Sequence, residues 1–373
     1  MHVFGPTELV ESVQKSGLCI GCGACVDLCP YFLNHRGRTV QIFPCTLEQG
    51  RCFAVCPKAE VDLDEISRHH WQQPYEGKSM GRYLEALAAR AGANMSSAGA
   101  FQGGGTVSAL LIHALEQGLI DAAVLTGRDG KGPVPRIASS AEEIVACASS
   151  KFTAAPTLAA FNRAVAEKRV NLGVVGTPCQ MTAVAKWRTN PLNQDDFTDP
   201  VSLTIGLFCN WGLDQRGFNA FLAGRLDLSR IKGVDIPPPP AKTLIVDLGN
   251  EAIEIPLNEV RPFIPETCGL CPDMTSEWAD LSVGMFEGRP GWNTLLVRSQ
   301  KGKALVAGAV AAGLLSTEPM PGTNLEHLRE AAKNKKRRAF LQVNERGLLN
   351  PSDDNAKALL RVPQEVANTI LET

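Results

Sequence analysis

Residues 170–187 read VNLGVVGTPCQMTAVAKW. A short apolar run ending in glycine reads as a buried strand, and the segment from Thr177 onward reads as a helix. A strand that runs through a tight turn into a helix is the repeating unit of an α/β fold. Such folds build their sites from loops at the carboxyl ends of strands, where this turn places Cys179.

The alternation continues on both sides. TVSALLIHALEQGLI (106–120) has apolar residues at helical spacing, and DAAVLTG (121–127) follows as a buried strand. SKFTAAPTLAAFNRAVAEKR (150–169) reads as a loop and helix, VSLTIGLFC (201–209) as a strand and RGFNAFLAGRL (216–226) as a helix. TLIVDLGNEAIEIPL (243–257) predicts a hairpin turning at Gly249-Asn250, and WNTLLVRS (292–299) a strand before a final helical region. DIPPPPAKT (235–243) reads as a rigid proline connector between units.

The amino-terminal part differs. Seven of the twelve cysteines fall within the first 56 residues. CIGCGACVDLCP (19–30) and CTLEQGRCFAVCP (45–57) are both closed by cysteine–proline. A C-x2-C-x2-C loop supplies three thiolates to a cubane, and a distant cysteine before proline supplies the fourth. Cys19, Cys22, Cys25 and Cys56 make one such set, with Gly23 letting the loop fold around it. Cys29, Cys45 and Cys52 make a second set with one ligand short of the usual count. A three-iron cluster, a non-cysteine fourth ligand and no second cluster at all stay open. A structural zinc site is the competing reading of the whole block, disfavoured by the cysteine–proline endings. EVDLDEISRHHWQQPYEGKSMG (60–81) reads as a polar and aromatic connector.

The formal charge of −2 and 20% charged residues give no sign of a nucleic-acid partner. The basic run KNKKRR (333–338) reads as a solvated helix face. The start has no basic segment followed by an apolar core, and the longest apolar run, from Ala304, has twelve residues, too few to span a bilayer. A cytoplasmic location is the expectation. Twelve cysteines there point to metal ligation rather than disulfides.

FQGGGTVSALLIHALEQGLIDAAVLTG, SSKFTAAPTL, VGTPCQM, IGLFC, CGLCPDMTSEWADLSVG and GWNTLLVRS occur in this order. Together they resemble the coenzyme F420 hydrogenase/dehydrogenase beta-subunit family, which is similar to 7-hydroxymethyl chlorophyll a reductase. The resemblance covers about residues 76–340. It implies an α/β flavin-binding domain with a mixed sheet, preceded by a small ferredoxin-like iron–sulfur domain at 1–75 and followed by a C-terminal tail at 341–373. It also implies FAD, a [4Fe–4S] cluster held by Cys179, Cys209, Cys268 and Cys271, and coenzyme F420 as substrate. Cys147 is left over and reads as a small buried hydrophobe.

Gly103, Gly104 and Gly105 before Thr106 open a helix, where bare backbone N–H groups suit a diphosphate or flavin ring. Lys151 offers a positive charge to phosphate or reduced flavin. Gly176, Thr177 and Pro178 sit beside Cys179. Asp280, Gly284, Trp292 and Asn293 fall in the remaining motifs, Asp280 as a hydroxyl ligand or a backbone cap. No side chain is expected to act as a general acid or base. The implied activity is hydride exchange between F420 and FAD, with single electrons passing through the clusters to a redox partner subunit. The alternative is an F420-independent subunit linking ferredoxin or another carrier to a formate dehydrogenase, hydrogenase or heterodisulfide-reductase-like partner.

Overall fold

In the computed structural model, which describes residues 2–95, 101–129, 132–237, 241–352 and 356–372, eight strands form the central sheet. They are β1 (Glu85–Ala91), β2 (Ala122–Asp129), β3 (Gly132–Ala138), β4 (Leu172–Gly176), β5 (Val201–Leu207), β6 (Leu281–Met285), β7 (Asn293–Val297) and β8 (Leu315–Pro319). The spatial order is β8-β1-β7-β6-β5-β4-β2-β3. β2, β4, β5 and β6 run parallel and form the middle, and antiparallel neighbours extend both edges. All five residues of β4 are buried, as its unbroken apolar run requires when helices cover both faces.

Helices Thr106–Glu116 and Gln300–Ala311 pack on one face through Leu110, Leu305 and Ala309. Helices Thr157–Ala166 and Pro178–Arg188 pack on the other through Phe161, Met181 and Val184. Between β5 and β6 the chain inserts a three-stranded antiparallel sheet, Gly233–Asp235, Thr243–Asp247 and Ala252–Pro256, with its own core of Phe218, Leu222, Leu244 and Val246. The Asp214 N–H donates to the Phe263 carbonyl (2.8 Å) and closes the base of this insertion, so its two ends leave from the same edge of the sheet.

The hairpin forms as expected, with Gly249 at φ +90° in its turn. The proline connector is corrected: prolines 238–240 lie outside the described residues, but the strands on either side pair with each other, so the run links strands within one sheet. Residues 60–81 are likewise more than a connector. Asp62 accepts from Asp64 N and Glu65 N and starts the helix Leu63–Trp71, which buries Leu63 and Ile66.

The amino-terminal unit sits on the helix Thr157–Ala166. Cys22 O accepts from Leu158 N (3.0 Å), and Asn162 Nδ2 donates to the carbonyls of Ala24 (2.9 Å) and Val26 (2.7 Å). Phe53, Phe340 and Val174 belong to one continuous core, which joins this unit, the long helix Gly322–Glu345 and the sheet. The segment after 341, expected as a tail, turns back onto the unit: Leu360–Arg361 pairs in parallel with Val61–Asp62, and Glu60 accepts from Ala358 N and Arg361 Nε.

The basic run is a further correction. Lys333, Arg337 and Arg338 are exposed, whereas Lys335 and Lys336 face inward and are buried. Among the described residues no helix is long and apolar enough to cross a membrane.

Glu60 is fully buried and ties the carboxyl-terminal strand to the amino-terminal unit. Glu60→Ala should cost about 3 kcal/mol in denaturant unfolding, because it leaves Arg361 without this carboxylate. It should also open a protease cleavage site near 348–362; unchanged stability and protease resistance would contradict this role.

Candidate functional site

The carboxyl ends of β4, β5 and β6 carry the turns of interest. After Gly176, Thr177 begins the helix Pro178–Arg188, and Gln180 folds back so that its Oε1 accepts from Thr177 N (2.9 Å). Gln180 Nε2 donates to Ala155 O (3.1 Å) and Thr157 Oγ1 (2.9 Å), and Thr157 is hydrogen-bonded to Thr126 of β2 (2.6 Å). This chain of hydrogen bonds holds the 151–157 loop beside Cys179, whose sulfur lies 3.2 Å from Thr177 Oγ1.

Cys209 follows β5 by two residues, and its N–H donates to Met274 O (2.9 Å), drawing the 271–274 segment to the same edge. Cys268 and Cys271 return to this edge after the insertion. Burial is the largest influence on the Cys179 thiol, pushing it up to about 11, with Cys271 and Cys268 adding to the rise. Burial raises Cys209 further, with Cys179, Cys268 and Cys271 contributing. The four thiols thus stand near one another although 92 positions separate Cys179 from Cys271 in sequence.

A second group surrounds the first cysteine run. Cys25 is raised by burial, then by Cys56 and Cys19. Cys22 is raised by burial and by neighbouring thiols, of which Cys179 has the largest influence, followed by Cys56 and Cys25. The two groups therefore adjoin through Cys22 and Cys179. Cys52, raised to about 12 by burial, also feels Cys29, Cys56 and Cys45 and so stands between the first set and the incomplete one. Cys29 is exposed.

Among the described residues no three Cys, His, Asp or Glu side chains close around a single metal ion. The chemistry of the donor sets, soft thiols unmixed with histidine or carboxylate, fits a thiolate-ligated cluster. A cavity beside Cys179 and Cys271 is also lined by Pro57 and Lys58, just after Cys56, and by Asp273.

The glycine turn forms a neighbouring feature. Gly105 has φ +71° and precedes the helix Thr106–Glu116. A side chain on Gly104 would meet Asn293 Oδ1 at 2.5 Å and Ala89 O at 3.0 Å, so the turn lies directly on β1 and β7. Asn293 Oδ1 accepts from Thr106 N (3.4 Å) and its Nδ2 donates to Gly284 O (3.2 Å), bringing these predicted residues together with Gly103. Gly284 also leaves room for the Phe208 ring, which a side chain there would overlap at 2.0 Å.

Lys151 reaches this region through Gln102, whose Oε1 accepts from Ser150 N (2.7 Å). Its ammonium donates to the carbonyls of Cys147, Ala148 (3.0 Å) and Ser149 (2.8 Å). Burial is the main cause that lowers it to about 8; Cys147 opposes this and Arg128 adds to it. Among the described residues Thr106 Oγ1 and Arg128 Nε are buried with no hydrogen-bond partner. Arg128 was not singled out from sequence; its position immediately after the predicted strand 121–127 was the signal available. Cys147 is half-buried against the sheet's helical layer, its thiol raised by burial.

Two predicted residues stay apart from this group. Asp280 lies at the amino end of β6, opposite Gly284, where it accepts from Thr204 N and Oγ1 (both 2.9 Å) and Ser299 Oγ (2.7 Å). Burial raises its carboxyl, but Lys301 and these hydrogen bonds outweigh that and hold it below its usual range. It therefore joins β5, β6 and the helix beginning at Gln300. Trp292 packs with Ala88 and Phe286, between the guanidinium groups of Arg90 and Arg289, while Ala89 and Asn293 meet the glycine turn.

Three sequence families match. Two describe the halves of one protein, the beta subunit of coenzyme F420 hydrogenase/dehydrogenase: residues 170–322 match its C terminus and residues 86–162 its N terminus. Residues 15–32 match a 4Fe-4S binding domain. The coenzyme F420 hydrogenase subunit beta of Methanococcus voltae is 30% identical over 282 residues, covering 73% of this chain and 99% of that protein. The coenzyme F420-dependent sulfite reductase of Methanocaldococcus jannaschii is 29% identical over 351 residues, covering 90% of this chain and 52% of that protein. A chain in the xenon-derivatized F420-reducing [NiFe] hydrogenase complex from Methanosarcina barkeri superposes with a TM-score of 0.65 at 27% identity, covering 72% of this chain and 94% of that one. With the glycine turn, the strand-end cysteines and the amino-terminal cysteine run in one continuous structure, the chain belongs to the coenzyme F420 hydrogenase/dehydrogenase beta-subunit family and carries an amino-terminal 4Fe-4S binding motif.

Proposed function

We propose that this chain is an iron–sulfur flavoprotein subunit that exchanges hydride between coenzyme F420 and FAD and passes single electrons to a partner redox subunit in the cytoplasm. The observation that carries this reading is the meeting of Cys179 and Cys209, which follow strands β4 and β5, with Cys268 and Cys271, near a glycine turn packed on β1 and β7. The hydrogenase subunit and the sulfite reductase differ in the chemistry their names describe and share F420, which favours F420 as the common reactant. FAD, when bound, links two-electron hydride chemistry to one-electron transfer.

The chain's residues suit these tasks. Close packing of Gly104 on Ala89 and Asn293, and of Gly105 on Phe101, fixes the turn, whose N–H groups would hold an anionic or planar ligand. Among the described residues nothing hydrogen-bonds Thr106 Oγ1 or Arg128 Nε, which suits them to a polar ligand, and Lys151 adds positive charge. Cys179, Cys209, Cys268 and Cys271 hold one cluster; Cys19, Cys22, Cys25 and Cys56 hold another. Cys29, Cys45 and Cys52 supply three ligands of a further one. In this reading residues 1–75 are the ferredoxin-like unit, 76–340 carry the flavin and the strand-end cluster, and 341–373 brace the first unit.

Anaerobically purified protein should contain FAD and about eight to twelve iron atoms, as two or three clusters require. Reduced F420 should bleach the flavin absorbance. A flavin that stays oxidised with reduced F420, but is reduced by ferredoxin, would replace F420 with a protein carrier. Cys268→Ser should remove the iron of one cluster, leave the amino-terminal ones and stop electron flow from flavin to a dye; undiminished flow would refute the strand-end assignment.

Lys151 gives a pH test on the apoprotein. With its folded value near 8 against 10.5 in the unfolded chain, the unfolded state holds the extra proton between those values. Its contribution to stability therefore rises with pH across that window. Denaturant midpoints at pH 8 and pH 10 should rise less in Lys151→Gln than in the parent; parallel profiles would disprove the shift.

A further inference from the structure

Three buried lysines surround the two main thiol groups. The Lys58 ammonium donates to Thr267 O (3.0 Å), one residue before Cys268. Lys186 donates to Cys56 O (2.8 Å) and Ala59 O. Lys335 donates to Cys209 O (2.6 Å) and Asp273 O (2.8 Å). They are 4%, 0% and 6% exposed, and among the described residues none forms an ion pair with a carboxylate. Lys336, next to Lys335 on the same helix, is different: Glu277 Oε1 lies 2.6 Å from its ammonium.

Carbonyl contacts satisfy N–H groups but do not neutralise charge, and an uncompensated buried cation is strongly disfavoured. Glu60 and Glu65 act on Lys186 and Asp273 on Lys335, but from beyond ion-pair distance. The three cations are thus only partly compensated, and anionic charge at the cysteines they face completes the balance. Four thiolates around a [4Fe–4S] core supply it, since the assembly is negative and gains one more negative charge on reduction. Nearby positive charge favours the reduced form, and net charge and hydrogen bonding set cluster potentials.

The reach of each lysine is selective. Lys186 holds the carbonyl of Cys56. Lys335 holds the carbonyl of Cys209. Lys58 follows Cys56 by two residues and its ammonium holds the carbonyl of Thr267, next to Cys268, so it touches both groups. We infer that Lys58, Lys186 and Lys335 are the fixed counter-charges of the two clusters, Lys186 for the amino-terminal one, Lys335 for the strand-end one and Lys58 shared between them. They raise both potentials together, and the shared lysine sits where an electron crosses from one cluster to the other.

The inference rests on the cysteine sets holding clusters, so the two are tested separately. Iron content and reduced-state EPR of the wild-type chain, with signals assigned through Cys19→Ser and Cys268→Ser, test the cysteine sets; absence of both signals ends that reading. Redox titration of those signals then tests the lysines. Lys186→Gln should make reduction of the amino-terminal cluster at least about tenfold less favourable, a fall of about 59 mV for one electron, and leave the other unmoved. Lys335→Gln should do the reverse, and Lys58→Gln should lower both. Fully loaded Gln variants with wild-type potentials, or with both potentials shifted alike whichever lysine is changed, overturn the inference. Should the Gln variants take up no iron, the charge-keeping Lys186→Arg and Lys335→Arg decide. Iron uptake restored by arginine supports the counter-charge role, and equal failure of arginine shows that only lysine packing mattered.

Discussion

A side chain on Gly23 would stand 2.5 Å from the carbonyl oxygen of Pro156, so the first cysteine loop and the turn into the helix Thr157–Ala166 share a contact open only to glycine. At φ +85°, Gly23 also has a backbone that other residues rarely adopt. This contact sets where the amino-terminal unit sits. The helix beneath it packs on the sheet, and the loop before it is held through Thr157 and Gln180 to the turn carrying Cys179. The two thiol groups adjoin because backbone meets backbone at this seam.

Charge is handled in two ways around it. Arg298 is buried and hydrogen-bonded by Ser282 Oγ (2.7 Å), Met80 O (2.9 Å) and Thr275 O (2.9 Å), which fastens the 80–82 segment to β6. Lys336 and Glu277 form a close buried pair. These cations act as fasteners, each with polar groups or a carboxylate arranged around it. The lysines facing the thiols hydrogen-bond to carbonyls, and among the described residues no carboxylate closes on them as an ion pair; Glu60 and Glu65 act on Lys186 and Asp273 on Lys335 only from farther away. A core with unpaired cations beside grouped thiols is poorly balanced as bare protein, which fits a fold completed by anionic clusters.

The insertion between β5 and β6 shows how the fold tolerates growth without disturbing the site. It has its own core, and the backbone closure at its base returns the chain to the edge it left. Cys209 and Cys268 therefore come close even though an independent sheet lies between them in sequence. Asp280 does comparable work at the far end of β6, where Thr204, Ser299 and Lys301 converge on it.

Local pattern was enough for much of this molecule. The apolar runs at 172–176 and 201–207 became parallel strands, the periodic segments at 106–116 and 178–188 became helices, and Gly249-Asn250 turned a hairpin, because those preferences depend on near neighbours. The cysteine–proline runs announced thiol clustering for the same reason: their spacing is itself the geometry. What sequence misjudged depended on what stands opposite. KNKKRR looked solvated, yet helix rotation against Cys209, Asp273 and Glu277 buries two of its lysines. Asp280 carried two readings, a hydroxyl ligand or a backbone cap, and its bonds from Thr204 N and Ser299 Oγ at the far end of β6 match the second. Arg128 was passed over because a lone arginine at a strand end acquires meaning only beside Lys151. Sequence by itself determined the alternation of strand and helix and the presence of thiol sets, since both are short-range. Tertiary structure alone decided which thiols adjoin and which cations face them, because those distances are set by packing between segments far apart in the chain.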